Sequence, residues 1–141
     1  MRIFIVTIFL LFVAACAQAQ EGSAAPSEFN GSWQNEAGSL VTLVVNDGEV
    51  RGTYQTNVGQ PDKNQSFALI GFAQGDQITF TVNFKGFGSM TAWTGQLTTD
   101  KNDKPYIRTL WHLTRDVEND KEQADIWKSI NTGASNFVRV N

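Results

Sequence analysis

Polar and apolar residues alternate in short runs along most of the chain, and turn-forming residues separate the runs. In the clearest run, Ile78, Phe80, Val82 and Phe84 alternate with threonine and asparagine residues. A period of two is typical of β-strands that bury one face. The pattern predicts eight strands, at residues 31–35, 39–46, 49–56, 66–74, 77–84, 89–98, 106–115 and 136–141.

Most connections between these strands are short enough to be hairpin turns. Asp47-Gly48 and Gly75-Asp76 are residue pairs of the kind that form tight antiparallel turns. The longest gap, 116–128, is expected to hold one helical turn at 124–127. Consecutive hairpins predict an all-β fold, an eight-stranded antiparallel up-and-down β-barrel, which leaves room for one small ligand.

The inner face of the barrel follows from the same alternation, since residues two apart share a face. Its expected side chains combine aromatic rings with hydroxyls and amides: Trp93, Trp111, Phe84, Tyr54, Asn35, Ser39, Thr56, Ser89 and Thr91. Each unpaired buried hydroxyl or amide costs about 1–3 kcal/mol, so this mixture requires a hydrogen-bond network or a ligand. The alternative is that these faces point outward and a partner protein covers the tryptophans. We favour the interpretation as a ligand-binding lumen.

The residues before the barrel have the pattern of an export leader. Arg2 precedes an apolar run at 3–15, and Ala17-Gln18-Ala19 fits a signal-peptidase site. We predict a signal peptide at 1–19, a disordered lead-in at 20–29 and a barrel domain at 30–141. The protein is then secreted or periplasmic, without a membrane span. Cys16, the only cysteine, also fits a loose lipoprotein box, so lipidation at Cys16 is the alternative.

Composition and charge exclude several functional classes. The 141-residue chain carries a formal net charge of -3 and has no run of lysine or arginine, which argues against nucleic-acid binding. His112 is the only histidine, and it is expected to face outward because its neighbour Trp111 faces inward. No nucleophile–base pair is visible in the sequence. We therefore predict a binding protein that is not an enzyme, with no catalytic residue, no metal and no catalytic cofactor.

Five short motifs contain most of the residues expected in the lumen. They are Gly31-Ser32-Trp33-Gln34-Asn35, Gly52-Thr53-Tyr54-Gln55-Thr56, Thr91-Ala92-Trp93-Thr94-Gly95-Gln96, Thr109-Leu110-Trp111-His112-Leu113-Thr114 and Trp127-Lys128-Ser129. In order and spacing, these motifs resemble the avidin and streptavidin family of biotin-binding proteins. The resemblance runs from Gly31 to Val140 and implies an eight-stranded barrel with biotin in its open end.

The resemblance also implies roles for individual residues. Asn35, Ser39 and Tyr54 match three donors aimed at the ureido oxygen of biotin, a convergence that would polarise this oxygen. Thr56 matches an acceptor for one ureido N–H, and Thr91 a threonine near the thioether sulfur. The remaining expected site residues contact the valerate tail or form the apolar walls: Val58, Gln60 through its backbone N–H, Ser89, Phe84, Trp93, Trp111 and Leu113.

Two positions depart from the family pattern. Phe84 stands where streptavidin has a third wall tryptophan. Ser135 stands where the family has an aspartate or asparagine that accepts from the second ureido N–H. Loss of a charge-assisted bond there costs up to about 1.5–3 kcal/mol of affinity. We expect biotin to bind, but less tightly than in the strongest-binding relatives.

Trp127 matches a tryptophan that reaches into the pocket of a neighbouring subunit, which implies a homotetramer, or a dimer as the alternative. The competing interpretation is that Trp127 caps its own barrel. Two other functions stay open at this point. One is a lipocalin-like carrier, since Gly31-Ser32-Trp33 also matches the G-x-W of lipocalins. The other is a periplasmic protease or lysozyme inhibitor that acts through a protruding loop.

Overall fold

The chain forms a closed antiparallel β-barrel in which each strand pairs with the next and the last pairs with the first. The structure is a computed structural model that describes residues 27–140. Its strands are β1 Gly31–Asn35, β2 Leu40–Asn46, β3 Glu49–Gln55, β4 Ser66–Gln74, β5 Gln77–Phe84, β6 Ser89–Thr99, β7 Pro105–Arg115 and β8 Ile130–Arg139. The predicted fold class is confirmed. The predicted signal peptide, Cys16, the first part of the lead-in and Asn141 lie outside the described residues.

The first seven strands agree with the sequence prediction to within one residue at each end. The predicted start of β8 is wrong, because the strand begins at Ile130 and not at residue 136. Its first half pairs with β7 from Thr114 opposite Ile130 onward, yet it contains small and polar residues without apolar alternation. The predicted helical turn is present as the short helix α1 Glu122–Asp125 followed by a 3₁₀ turn at Ile126–Lys128.

The core lies inside the barrel and follows the alternation of the strands. In β5 every second side chain is buried, which is the pattern expected of a strand with one solvent face. The predicted boundary of the lead-in is wrong at Phe29, whose side chain is only 1% exposed. An apolar ring next to the core gains more by entering it than by facing water.

The two ends of the barrel have different connections. Tight turns join β2 to β3, β4 to β5, and β6 to β7 at one end, which we call the closed end. The other end, which we call the open end, carries the turn after β1 and the connections at 56–65, 85–88 and 116–129.

Within residues 27–140, neither short helix has the length or the apolar character required to cross a membrane.

The closed end is tied together by the residues before β1. The indole nitrogen of Trp33 donates to the Phe29 carbonyl oxygen at 2.8 Å, and the Trp33 side chain is fully buried. The Arg139 guanidinium lies over the Trp33 ring at 4.2 Å and donates to the carbonyl oxygens of Glu28 and Asn30. The polar groups at this end are therefore paired with one another, and Phe29 fills the barrel behind them.

Candidate ligand-binding site

The inner face carries the hydroxyl groups that the alternation predicted. Five polar side chains are buried in the barrel: Ser39, Thr56, Thr91, Thr109 and Ser135. Asn35 and Ser89 are half-buried at the ends of their strands. The alternative in which these faces point outward is therefore wrong. A polar interior of this kind is expected of a binding cavity, because a dry core would place apolar side chains there.

The turn after β1 presents two hydrogen-bond donors to the lumen. The side-chain oxygen of Asn35 accepts from the backbone N–H of Ser39 at 2.9 Å, which leaves the Asn35 amide N–H groups available. The hydroxyl oxygen of Ser39 accepts from the backbone N–H of Asn57 at 3.0 Å, which leaves its proton for the neighbouring Tyr54 oxygen or for a ligand. Both side chains have an acceptor position in use and a donor position to offer.

Thr56 has the opposite polarity. Its hydroxyl donates to the Val58 carbonyl oxygen at 2.8 Å, and the Val58 backbone N–H lies 3.2 Å from the same hydroxyl oxygen. The single hydroxyl proton of Thr56 is thus engaged within the loop, and one lone pair remains as an acceptor. Val58 is 59% exposed and Gln60 is also exposed, so their side chains lie on the loop outside the core.

Tyr54 is a buried phenol at the same end. Burial raises the pKa of Tyr54 above its ordinary value, the Ser39 side chain opposes that rise by hydrogen bonding, and the negative charge of Glu36 adds to it. The phenol therefore stays protonated at neutral pH and can donate a hydrogen bond. With Asn35 and Ser39, it forms a group of three donors at one end of the lumen.

Aromatic rings form the walls below these donors. The Trp93 ring stacks on Phe80 with centroids 5.0 Å apart and is tilted against Tyr54 at 4.9 Å. Phe84 meets Tyr54 edge-on at 6.0 Å and Phe67 at 5.1 Å. Sequence reasoning did not single out Phe67, although its burial follows from the alternation in β4. Phe84 is therefore held between two rings of the wall.

The indole nitrogen of Trp93 is a buried donor without an acceptor. Within residues 27–140 no group accepts a hydrogen bond from it, although Trp93 is only 4% exposed. An unpaired buried N–H costs about 1–3 kcal/mol. Such a group in a cavity wall is satisfied when a bound molecule or an ordered water accepts its hydrogen bond.

Trp111 and Leu113 are half-buried on β7, where Trp111 lies opposite Trp93 and Leu113 opposite Thr91. On its other side Trp111 is paired with Gly133 of β8. A Cβ atom at position 133 would lie 2.3 Å from Cζ2 of the Trp111 ring. The ring therefore occupies space that any larger residue at position 133 would fill, a contact that the sequence did not reveal.

Ser135 is buried in the barrel, in agreement with the role that the resemblance implied, and Asn136 faces outward. The Thr109 hydroxyl donates to the Ser135 carbonyl oxygen at 2.8 Å and holds this part of β8 on β7.

Sequence reasoning missed Glu36 at this site. Both of its carboxylate oxygens lie 3.2 Å from the backbone nitrogen of Asn136, a contact between residues a hundred positions apart in the chain.

Trp127 is not packed against its own barrel. It lies in the 3₁₀ turn and is 72% exposed, with the Lys128 amino group 5.0 Å from its ring centroid. Its neighbours Ile126 and Ile130 are 67% and 58% exposed. The interpretation that Trp127 caps its own barrel is therefore wrong for the isolated chain.

A second concave feature lies outside the barrel. A broad groove of about 1250 Å³ crosses the outer face of β4 to β7, with Phe72, Thr79, Thr94 and Leu110 among its lining residues. It does not include the donors and aromatic walls of the lumen. Among the described residues, no group of three histidine, cysteine, aspartate or glutamate side chains is placed to hold a metal ion.

Comparison with known proteins agrees with this architecture. The sequence model of the avidin family matches residues 23–140. Avidin-related protein 4/5 and avidin, both of Gallus gallus, are 33% and 32% identical to this chain, and each match covers 94% of this chain and 91% of the relative.

Solved structures give the same result for the fold. A biotin-binding protein from chicken has a TM-score of 0.70 at 31% identity, covering 81% of this chain and 97% of that chain. A rhizavidin–biotin complex has a TM-score of 0.68 at 27% identity, covering 85% of this chain and 98% of that chain.

Proposed function

Because this chain belongs to the avidin family, we propose that it binds biotin non-covalently in the open end of its barrel. The observation that carries the proposal is the polarity of the open end. Asn35 and Ser39 each have an acceptor position occupied and a donor to offer, whereas Thr56 has its proton occupied and a lone pair to offer. Donors for a carbonyl oxygen beside an acceptor for an N–H are the complement of a cyclic urea.

In this proposal Asn35, Ser39 and Tyr54 donate to the ureido oxygen. Three donors around one carbonyl oxygen favour its polarised form, which makes each bond stronger than a neutral hydrogen bond. Thr56 accepts from one ureido N–H and Ser135 from the other. These groups are fixed by the turn after β1 and the loop after β3 before any ligand arrives, so binding orders few side chains.

The remaining site residues surround the apolar part of biotin. Phe84, Trp93, Trp111 and Leu113 provide the walls, and Thr91 lies near the thioether sulfur. Ser89, Val58 and the backbone N–H of Gln60 lie along the valerate tail. Binding requires no catalytic residue and no cofactor, and biotin leaves the site chemically unchanged.

Affinity is expected to fall short of the limit for non-covalent complexes. Ser135 is a neutral acceptor, and a neutral bond in place of a charge-assisted one lowers the affinity by up to about 1.5–3 kcal/mol. Phe84 presents less apolar surface than a tryptophan would at the same position. The proposal is therefore tight binding with a dissociation rate that can be measured directly.

We also propose that the protein self-associates, as a homotetramer or alternatively as a dimer. The outer face of β4 to β8 carries few charges: Arg108 lies within it, and Arg115 and Arg139 are exposed at the ends of β7 and β8. Phe72 and Leu110 on this face are 66% and 63% exposed, beside the outer groove. A surface with few charges and exposed large apolar side chains favours a protein interface. Multi-angle light scattering of the purified protein measures its oligomeric state, and a monomer at micromolar concentration would refute self-association.

Export is part of the proposal. The charged start, the apolar run and the small residues at 17–19 support cleavage after residue 19, with lipidation of Cys16 as the alternative. The mass of the protein recovered from an exporting host distinguishes the two. Cleavage after Ala19 gives a chain that begins at Gln20, whereas lipidation gives a chain that begins at a modified Cys16.

The experiment that tests the function is a pair of titrations followed by tryptophan emission. One uses biotin and the other a long-chain fatty acid, the kind of ligand expected of a lipocalin-like carrier. The proposal expects a saturable change with biotin at micromolar protein and none with the fatty acid. Saturation by the fatty acid alone would overturn it in favour of the carrier function.

A further inference from the structure

Glu36 occupies a rigid turn at the rim of the open end. The Gly38 backbone N–H donates to the Asn35 carbonyl oxygen at 2.9 Å, and the Asn57 side-chain N–H donates to the Ala37 carbonyl oxygen at 2.8 Å. Gly38 has φ of +81°, a conformation that favours glycine. The backbone on both sides of Glu36 is therefore fixed, which limits where its carboxylate can lie.

The carboxylate of Glu36 lies against the adjacent strand β8, one position beyond the last β1–β8 pair, Asn35 opposite Phe137. Both of its oxygens lie 3.2 Å from the backbone nitrogen of Asn136, the residue after Ser135. Along the chain, Glu36 also follows Asn35 directly. The contact therefore joins the end of β1, which carries Asn35, to the middle of β8, which carries Ser135. It also adds a negative charge next to Ser135, whose hydroxyl is neutral.

The charge of Glu36 also acts within the lumen. Its negative potential contributes to the raised pKa of Tyr54, although burial is the larger cause. A negative charge that disfavours the phenolate form of Tyr54 also attracts a partial positive charge placed nearby. The N–H of a cyclic urea carries such a charge.

Resting on the proposed biotin binding, we propose that Glu36 is the acidic specificity residue of the pocket. Its carboxylate, held on the Asn136 backbone nitrogen, supplies the negative potential that the ureido N–H beside Ser135 requires. The ligand class follows from this chemistry: cyclic ureas with a free N–H are favoured over the same ring methylated at that nitrogen. Since Glu36 is exposed in the isolated chain, water screens its charge and the effect is moderate.

The first experiment separates charge from hydrogen bonding. Glu36→Gln keeps an oxygen that can accept from Asn136 but removes the charge, whereas Glu36→Ala removes both. Glu49→Gln, at the closed end, is the matched control for loss of one carboxylate. We expect Glu36→Gln to weaken biotin binding about three- to fivefold at low ionic strength, in line with partly exposed charges. The difference should shrink at about 1 M salt, where screening is nearly complete.

Full affinity in Glu36→Gln combined with weak binding in Glu36→Ala would overturn the proposal, because Glu36 would then only hold β8 in place. A loss in Glu49→Gln as large as that in Glu36→Gln would overturn it as well, since net charge would explain the effect. A smaller penalty for the N-methylated urea in Glu36→Gln than in the wild type supports it.

The second experiment requires no ligand. The chain has two tyrosines, so Tyr106→Phe leaves Tyr54 as the only phenol that titrates. Spectrophotometric titration of Tyr106→Phe with and without Glu36→Gln should show a lower pKa of Tyr54 when the charge is absent. An unchanged pKa would overturn the proposal. If wild-type protein fails to bind biotin while this pKa does fall, the proposed function is refuted and the reach of the Glu36 charge stands.

Discussion

The two ends of the barrel are formed by the same strands, yet their polar groups are used differently. At the closed end the Trp33 indole donates to Phe29, and Arg139 covers the Trp33 ring while donating to two carbonyl oxygens. At the open end the Asn35 amide uses only its oxygen, the Ser39 hydroxyl accepts from the Asn57 backbone N–H, and the Trp93 indole has no acceptor within residues 27–140. Paired polar groups stabilise the fold, whereas unpaired ones are available to a ligand.

This contrast indicates which substitutions should affect the stability of the barrel and which should affect ligand binding. Changes at the closed end should lower the free energy of unfolding and leave the intrinsic affinity for biotin alone. Changes at the open end should lower affinity with little loss of stability, because the groups removed are not fully used in the unbound protein. Five substitutions or conditions test this division, from the largest expected effect to the smallest.

Trp33→Ala is expected to have the largest effect, and to act on stability. It removes a fully buried ring together with its bond to Phe29 and its contact with Arg139. Loss of a buried aromatic ring costs about 3–5 kcal/mol. Urea unfolding of the biotin-free protein, followed by circular dichroism, measures this loss. Weaker biotin binding at unchanged stability would contradict the division between the two ends.

Trp127→Ala tests the sharing of a pocket between subunits. The ring is exposed in the isolated chain, so its removal should change the unfolding free energy little. If it covers a neighbour's ligand, its removal should cost about 2 kcal/mol or more, which is about 30-fold in the rate of biotin release. Ile126→Ala, on the same turn and similarly exposed, is the control. Equal release rates in Trp127→Ala and wild type would refute the shared site.

Tyr54→Phe removes one donor and keeps the ring that packs on Trp93 and Phe84. A hydrogen bond to a polarised ureido oxygen is worth about 1.5–3 kcal/mol, so the dissociation constant should rise about ten- to a hundredfold. Competition with a labelled biotin measures the change. Tyr106→Phe should retain wild-type affinity, and a drop in affinity there of the same size would point to a general structural effect.

Gly133→Ala tests the position of Trp111 without changing any polar group. The new Cβ atom would meet the Trp111 ring at 2.3 Å, so the ring has to move. Overpacking of this kind costs about 1–3 kcal/mol, and we expect part of it to appear as faster biotin release. The near-ultraviolet dichroism of the tryptophans reports the movement. Ala134→Ser, one position along and facing outward, should leave the spectrum unchanged.

The smallest effect is a pH dependence in alkaline solution. Burial raises the pKa of Tyr54 above 10.0, so the unfolded chain loses this proton at a lower pH than the folded chain does. The contribution of Tyr54 to stability is therefore complete below pH 10.0 and decreases as the pH rises through the folded-state pKa. Biotin affinity should decrease over the same range, because a phenolate cannot donate. Tyr54→Phe should lack this part of the pH profile.

The barrel could be predicted from the sequence because the alternation of polar and apolar residues identifies both the strands and the side chains that face inward. The inward positions of Ser39, Thr56 and Thr91 follow from that alternation alone, whereas Ser135 was identified from motif similarity. The prediction of strand limits failed at the start of β8, where polar and apolar residues do not alternate. The first half of β8 contains small and polar residues, so its pairing with β7 decides that it is a strand.

Other features depend on contacts between distant parts of the chain. Phe29 lies before the first strand, and its burial depends on Arg139 and Trp33 closing over it. The contact between Glu36 and Asn136 joins residues that are a hundred positions apart in the sequence but lie on the paired strands β1 and β8. Motif similarity names donors such as Asn35, but only the structure identifies which of its polar atoms is already paired.

The central claim is that the unpaired donors of the open end exist to bind the ureido group of biotin. Calorimetric titration of biotin into the wild-type protein tests it most directly, because it measures stoichiometry and heat without a probe. The account predicts saturation at one biotin per chain, with a favourable enthalpy that is reduced in Tyr54→Phe. Absence of heat and of saturation at micromolar protein, or an enthalpy unaffected by Tyr54→Phe, would contradict it.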